Sequence, residues 1–264
     1  KSASETMGII QKYRDLHVPI DCVVQDWQYW GNNSQWNALE FLNSSFSNYQ
    51  QMINSVHNNH AHLLISVWAN FGSNTKPFAE LEKLGRLIHV TSYPSDATVY
   101  PYDVWSDRAR DIYWKYMYNG LVSKGVDAYW MDSTEPDYAR KSDSEMDYLS
   151  DCGRTWRIMR NSFVLGHVSG VYQHHREQQA TDAQLAQKRV SILTRSGFAG
   201  QQRYAAQTWS GDISASWETL RKQIPAALGF TTCGIPYWNN DNGAFFVGYQ
   251  WGDNGPVDEP KKRS

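Results

Sequence analysis

Residues 128–136 read AYWMDSTEP, and residues 208–214 read TWSGDIS. Each stretch opens with a short apolar or aromatic run of the kind that forms a buried strand. Each run ends at a carboxylate, Asp132 in the first and Asp212 in the second. A strand that ends in a polar side chain delivers that side chain to one edge of a sheet. The two stretches therefore predict a sheet with acidic groups along one edge.

Strand-like runs alternate with helical stretches along the rest of the chain. The spacing predicts strands over residues 20–25, 62–68, 126–131, 189–194, 205–209 and 234–238. It predicts helices over residues 4–16, 46–58, 107–124, 155–165, 183–188 and 216–228, with Gly125 ending the third of these. Repeated βα units with apolar strands indicate a parallel sheet in the α/β class.

Two parallel architectures place polar groups at the carboxyl ends of their strands. A doubly wound nucleotide binder needs a glycine-rich phosphate loop, and the chain has no GxGxxG or GxxxxGK[ST] motif. We therefore expect a (β/α)8 TIM barrel. Only six strands are predicted, so we expect an incomplete barrel that lacks the first and last strands. The whole chain, 1–264, is then a single catalytic-barrel segment of a larger protein, with 248–264 as a loose tail.

Composition narrows the possible partners. The net charge is −2, from 25 basic and 27 acidic residues, and no basic stripe suggests nucleic-acid binding. No apolar run is long enough to span a membrane.

The odd number of cysteines and the absence of CxxC spacing argue against a disulfide framework or a zinc site. Cys22 and Cys233 are expected to be buried. The 12 tryptophans and 16 tyrosines often adjoin Asp, Asn, Gln or Gly, which favours a carbohydrate cleft over a plain aromatic core.

Two carboxylates beside indole rings are what a retaining glycoside hydrolase requires. On this interpretation Asp132 is the nucleophile, ionised and held by neighbouring donors. Asp212 is the acid/base, with a pKa raised by burial and by the other carboxylate. The structural alternatives are that Asp132 caps a turn and that Asp212 caps the helix after it.

Further residues are candidates for binding a sugar. Arg195 is preferred to Arg203 because it ends a strand, and Trp130 shares one side of a strand with Asp132. Loop capping, ion pairing and core packing remain open for each candidate, and Glu135 and Asp137 lie on the loop beyond Asp132. The predicted substrate-binding residues are Asp26, Trp68, Trp130, Arg195, Trp209 and Asp241.

Other hydrolytic chemistries have little support. The histidines at 57, 60, 62, 174 and 175 are possible metal ligands, but the chain has no HExxH motif. It also has no GxSxG nucleophile elbow. We expect neither a metal nor an organic cofactor.

Four ordered motifs resemble those of glycoside hydrolase family 31. Residues 130–136 (WMDSTEP) resemble its nucleophile motif, and residues 194–204 (TRSGFAGQQRY) its arginine segment. Residues 209–212 (WSGD) resemble its acid/base motif, and residues 234–241 (GIPYWNND) the next strand, whose aspartate lines the sugar site. The resemblance implies a TIM barrel, with Asp132 as nucleophile and Asp212 as acid/base.

Residues 25–31 (QDWQYWG) are similar to the α-xylosidase branch of that family. This similarity implies removal of terminal α-linked xylose from xyloglucan-type oligosaccharides, through a covalent glycosyl-aspartate and without a cofactor. The alternatives are an α-glucosidase of the same family and a non-catalytic carbohydrate-binding remnant. The resemblance also favours a periplasmic or secreted location, while the oligomeric state stays open.

Overall fold

The computed structural model describes residues 2–90, 92–135 and 142–246. Within these ranges, six parallel strands form one sheet, and two short antiparallel strands form a separate hairpin. The strands are β1 (Cys22–Gln25), β2 (His62–Val67), β3 (Asn70–Gly72), β4 (Val99–Pro101), β5 (Ala128–Met131), β6 (Ile192–Thr194), β7 (Ala206–Trp209) and β8 (Trp238–Asn239).

Helices connect the strands and cover the outside of the sheet. They are α1 (Ala3–Asp15), α2 (Tyr49–Asn58), α3 (Lys76–Leu84), α4 (Asp107–Gly120), α5 (Asp143–Met146), α6 (Trp156–Met159), α7 (Phe163–Gln178), α8 (Ala183–Ala186) and α9 (Trp217–Thr232). Short 3-10 segments cover Asn33–Gln35, Ser44–Phe46, Val122–Lys124, Arg160–Ser162 and Gln201–Tyr204.

The main sheet has the order β1-β2-β5-β6-β7-β8, and every neighbouring pair is parallel. This is the pattern of successive βα units in a (β/α)8 barrel, with six of its eight strands in the described part of the chain. The prediction of an incomplete barrel is therefore confirmed. The predicted loose tail at 248–264 lies outside the described residues.

The central strands are apolar because both faces are covered. In β2, every residue after His62 is buried. The register pairs Val67 with Met131, and the backbone N–H of Asp132 donates to the carbonyl of Val67 at 3.0 Å. As a result, the residues that follow β2 and β5 meet at the same edge of the sheet.

The region between β5 and β6 differs from the predicted helix over 155–165. It contains α6, a 3-10 turn and the 16-residue helix α7. Two glycines let α7 pack closely, since a Cβ at Gly166 would lie 2.8 Å from Val104 and one at Gly170 would lie 3.0 Å from Arg110. The sequence pattern obscured this helix because glycine weakens helix propensity.

The expected burial of two cysteines is wrong, since Cys22 and Cys233 are both exposed. Cys22 is the first residue of an edge strand whose side chains alternate between exposed and buried. Cys233 follows the last turn of α9, a helix with few buried side chains. Apolar runs at the edge of a sheet do not guarantee burial, because no further element of the described chain covers them.

Candidate active site

Asp132, Arg195 and Asp212 each follow the last residue of a strand or lie just beyond it. Asp132 follows β5, Arg195 follows β6, and Asp212 lies three residues after β7. These three strands are consecutive and parallel in the sheet. Their carboxyl ends therefore bring the two carboxylates to either side of the arginine, although 80 residues separate them in sequence.

A single nitrogen of Arg195 contacts both carboxylates. Its Nη1 atom lies 3.6 Å from Asp132 Oδ1 and 3.4 Å from Asp212 Oδ2. The two carboxylate oxygens are therefore at most about 7 Å apart. Retaining glycosidases place their carboxyl groups about 5–5.5 Å apart, whereas inverting enzymes need about 6.5–9.5 Å. The nearest oxygens of the two carboxylates are therefore close enough for the retaining spacing.

Glu135 holds the arginine in this orientation. Its Oε1 atom accepts from Arg195 Nε at 2.7 Å and lies 2.6 Å from Arg195 Nη2. A guanidinium held on one side by a carboxylate has little rotational freedom, so Nη1 is directed at the two aspartates. The sequence predicted only that Glu135 lies on the loop beyond Asp132; its pairing with Arg195 depends on the packing of β5 against β6.

Burial raises the pKa of both aspartates. For Asp132 burial raises the pKa to about 7, with Arg195 lowering it and the charges of Glu135 and Asp212 adding to the rise. Burial also raises the pKa of Asp212, again against the effect of Arg195. The raised pKa of Asp212 agrees with the expectation. For Asp132, which is expected to be ionised, burial opposes the charged form and Arg195 favours it. Asp132 accepts one backbone hydrogen bond, from Ser133 N at 2.8 Å, and this does not offset its burial.

Three of the predicted sugar-binding tryptophans lie at or next to the carboxyl ends of strands. Trp130 on β5 and Trp209 on β7 meet edge to face, with ring centroids 5.7 Å apart. Trp68 directly follows β2, and its ring lies nearly perpendicular to that of Trp36 with centroids 4.7 Å apart. Among the described residues, the Nε1 atom of Trp130 is buried without a hydrogen-bond acceptor.

Asp26 and Asp241 occupy the same edge of the sheet. Asp26 follows β1, and its charge is among the causes that raise the pKa of Asp212. Asp241 follows β8 and lines a cavity of about 250 Å³ together with Ile213 and Trp217. By contrast, the rejected alternative Arg203 is exposed, with its guanidinium 5.9 Å from the ring centre of Tyr204.

Sequence reasoning missed the residues that shape the loops around the site. The Thr134 hydroxyl hydrogen-bonds the hydroxyls of Thr194 and Ser196, which ties the loop after β5 to the end of β6. Tyr93 stacks on Trp68 from the segment that precedes β4. The clustering of Ser and Thr after both strands was the available signal for the first contact; the sequence carried no signal for the second.

Three of the five histidines considered as metal ligands contact other side chains of the fold. His57 Nε2 lies 2.8 Å from Asp127 Oδ2 at the opposite end of the sheet, beside a cavity of about 850 Å³. In α7, His174 contacts Asp111 at 2.9 Å and buried His175 hydrogen-bonds Tyr129 at 2.8 Å. Over residues 2–90, 92–135 and 142–246, no group of three His, Cys, Asp or Glu side chains is arranged to hold a metal ion. No helix in these ranges is both long and apolar enough to cross a bilayer.

Comparison with known proteins places this chain in a family. A family model described as the glycosyl hydrolases family 31 TIM-barrel domain matches residues 1–260. An α-xylosidase from Saccharolobus solfataricus is 36% identical over 255 residues, covering 94% of this chain and 32% of the relative. α-Xylosidase A from Aspergillus niger is 24% identical and covers the whole chain but 38% of the relative. The chain thus spans about a third of the length of these relatives.

Solved structures give the same result. A family 31 α-xylosidase from Xanthomonas citri superposes with a TM-score of 0.82 at 33% identity, over 92% of this chain and 27% of that protein. An α-xylosidase from a soil metagenome, solved with xylose, superposes with a TM-score of 0.81 at 24% identity. The match covers 94% of this chain and 35% of that protein. The second match supports the fold alone. Family model, sequence and structure agree that the chain belongs to glycoside hydrolase family 31.

Proposed function

We propose that this chain is the catalytic-barrel segment of a retaining α-glycoside hydrolase that removes terminal α-linked xylose. The observation that carries the proposal is the position of Arg195 Nη1, 3.6 Å from Asp132 and 3.4 Å from Asp212. Two carboxylates held this close, beside indole rings and with raised pKa values, suit a double displacement at one glycosidic bond.

In the first step, a carboxylate oxygen of Asp132 attacks the anomeric carbon. The glycosidic C–O bond breaks, and the leaving oxygen takes the proton of Asp212, which gives a glycosyl ester and a free alcohol. In the second step, Asp212 removes a proton from water, whose oxygen attacks the anomeric carbon and releases Asp132. Two inversions give net retention of the anomeric configuration.

Arg195 assists the first step by opposing the effect of burial on Asp132. Its positive charge lowers the pKa of that carboxyl, which favours the ionised nucleophile. The raised pKa of Asp212 keeps a proton available for the leaving group. One guanidinium contacts both groups, so the charge of each aspartate depends on the state of the other.

Xylose is favoured as the substrate because the α-xylosidase from Saccharolobus solfataricus is 36% identical over 94% of the chain, whereas α-glucosidase 2 from Bacillus thermoamyloliquefaciens is 24% identical over 93%. An α-glucosidase from Saccharolobus solfataricus is 28% identical over 67% of the chain and supports the alternative of glucose removal. The two sugars differ by a hydroxymethyl group. A pocket that excludes such a group discriminates by only about 1–3 kcal/mol unless polar contacts contribute. A xyloglucan-type oligosaccharide is the natural substrate class on this proposal.

Covalent trapping tests the role of Asp132. The protein is incubated with a fluorinated α-xylosyl fluoride, digested and mapped by mass spectrometry, and we expect the label on Asp132. A label on another residue would refute the assignment. Rates with nitrophenyl α-xyloside and α-glucoside, measured in parallel, decide between the two sugars.

The second candidate function is carbohydrate binding without turnover. The observation that favours it is that the described residues contain six parallel strands rather than eight. Turnover of nitrophenyl α-xyloside that disappears in Asp212→Ala would exclude this candidate. Sugar-dependent thermal stabilisation with no turnover would favour it over the hydrolase.

A further inference from the structure

Tyr93 is an exposed aromatic residue beside the candidate site. Its ring stacks on that of Trp68, with centroids 5.9 Å apart and planes 24° from parallel, and it meets the ring of Trp36 edge to face at 5.4 Å. Trp68 is 5% exposed, whereas Tyr93 is 44% exposed. Tyr93 is therefore the solvent-facing layer of the stack.

The stack adjoins the proposed nucleophile. The backbone N–H of Asp132 donates to the carbonyl of Val67, the residue before Trp68. A sugar bound at Asp132 therefore has Trp68 beside it, and Tyr93 continues the aromatic surface toward solvent. Any further unit of an oligosaccharide must extend from Asp132, whose side chain is 14% exposed, toward solvent.

The segment that carries Tyr93 is held at two points. Asn33 Nδ2 donates to both carboxylate oxygens of Asp96 at 2.9 Å. Buried Asn70 donates to the hydroxyl of buried Ser92 at 2.6 Å. These anchors lie on either side of Tyr93, so its ring is positioned before any ligand arrives. A pre-positioned ring binds with little loss of conformational entropy.

We infer that Tyr93 is a stacking platform for the second sugar unit of the substrate, on the leaving-group side of the scissile bond. The inference rests on the proposed function and adds a residue that selects oligosaccharides over single sugars. The flat apolar face of a pyranose stacks on an aromatic ring, while its hydroxyls remain hydrated. Buried Trp68 then supports the Tyr93 ring, and Tyr93 contacts the unit to which xylose is linked.

Calorimetric titration with two ligands tests this role. The ligands are xylose and the disaccharide α-xylosyl-(1→6)-glucose, and Asp132→Asn serves as the background so that the disaccharide stays intact. Tyr93→Ala should weaken disaccharide binding about three- to tenfold and change the Kd for xylose less than twofold. Tyr93→Phe, which keeps the ring, should bind both ligands within about twofold of the background protein.

Tyr237→Ala is the matched control. Tyr237 is 70% exposed and directly precedes β8, the edge strand on the opposite side of the sheet from β2, so its loss should affect neither ligand. Asn33→Asp places two carboxylates against each other and releases the segment. It should weaken disaccharide binding in the same direction as Tyr93→Ala.

The outcomes separate this inference from the proposed function. If neither sugar binds the background protein, both fail. If xylose binds and Tyr93→Ala leaves the disaccharide Kd unchanged, only the platform is overturned. An equal loss for both ligands would also overturn it, because Tyr93 would then shape the site of the terminal sugar rather than bind the second unit.

Discussion

Glu135 Oε1 lies 2.6 Å from Arg195 Nη2, on the side of the guanidinium opposite to the two aspartates. Arg195 therefore sits among three carboxylates, and its single charge cannot neutralise them all. The excess negative charge and the burial of the cluster together explain why both aspartates have raised pKa values.

Replacing Glu135 with Gln should move the pH dependence of activity. The negative charge of Glu135 raises the pKa of Asp132 and of Asp212, so its removal lowers both. Both limbs of the kcat/KM profile should therefore shift to lower pH. Glu218→Gln on α9, whose carboxylate pairs with Lys222, is the control and should leave the profile in place. A shift of the Glu135→Gln profile to higher pH would contradict the charge argument.

Loss of the Arg195 charge should raise the pKa of Asp132, whereas loss of the Glu135 charge should lower it. Arg195 lowers the pKa of Asp132, so Arg195→Met should raise that pKa above about 7 and move the acidic limb to higher pH. We expect kcat at pH 7 to fall by about 10²-fold or more, because less nucleophile is ionised and the pair loses a charged donor. Arg203→Met removes an exposed arginine of the same segment, and its kcat at pH 7 should stay within about twofold of the parent value. Equal losses in the two variants would exclude a specific role for Arg195.

Asp132→Asn should stabilise the protein at alkaline pH. The folded pKa of about 7 lies above the ordinary value of 3.8, so the folded state binds this proton more tightly than the unfolded state does. Below pH 4 Asp132 is protonated in both the folded and the unfolded state. As the pH rises toward 7, mainly the unfolded state loses this proton, so the free energy of unfolding falls. Asn carries no such charge, so the variant should gain up to about 4 kcal/mol over the parent at pH 8 and almost nothing at pH 4.

Urea unfolding at the two pH values measures this difference. Asp107→Asn, whose side chain is 93% exposed, is the control and should show no comparable gain at pH 8. If Asp132→Asn is no more stable than its parent at pH 8, burial of the charged carboxylate does not destabilise the folded protein.

Alanine substitutions at two helical glycines should change the stability of the protein in opposite directions. A Cβ at Gly166 in α7 would lie 2.8 Å from Val104 Cγ2 and 3.1 Å from the Val104 carbonyl, so Gly166→Ala should cost about 1–3 kcal/mol. A Cβ at Gly229 in α9 meets nothing within 4 Å. Gly229→Ala should therefore stabilise the protein by up to about 1 kcal/mol through helix propensity. Thermal unfolding of both variants checks the pair, and a stabilising Gly166→Ala would show that α7 is more loosely packed.

The strands were predicted better than the connections between them. All six parallel strands were predicted at or within a few residues of their observed positions, because short apolar runs bounded by polar residues are distinctive. The hairpin of β3 and β4 was not predicted, since its strands have three residues each and pair across a long insertion. Helix α7 was cut short because Gly166 and Gly170 interrupt the helical pattern.

The sequence by itself determined the fold class, the family motifs and the two aspartates, because parallel strands bring their carboxyl ends to one edge wherever they lie in the chain. Only the tertiary structure decided that Glu135 orients Arg195, that Asp132 has a pKa of about 7 and that Tyr93 covers Trp68. These properties depend on distances between residues on different strands and loops, and on burial from several elements at once. Neither is encoded in local spacing along the chain.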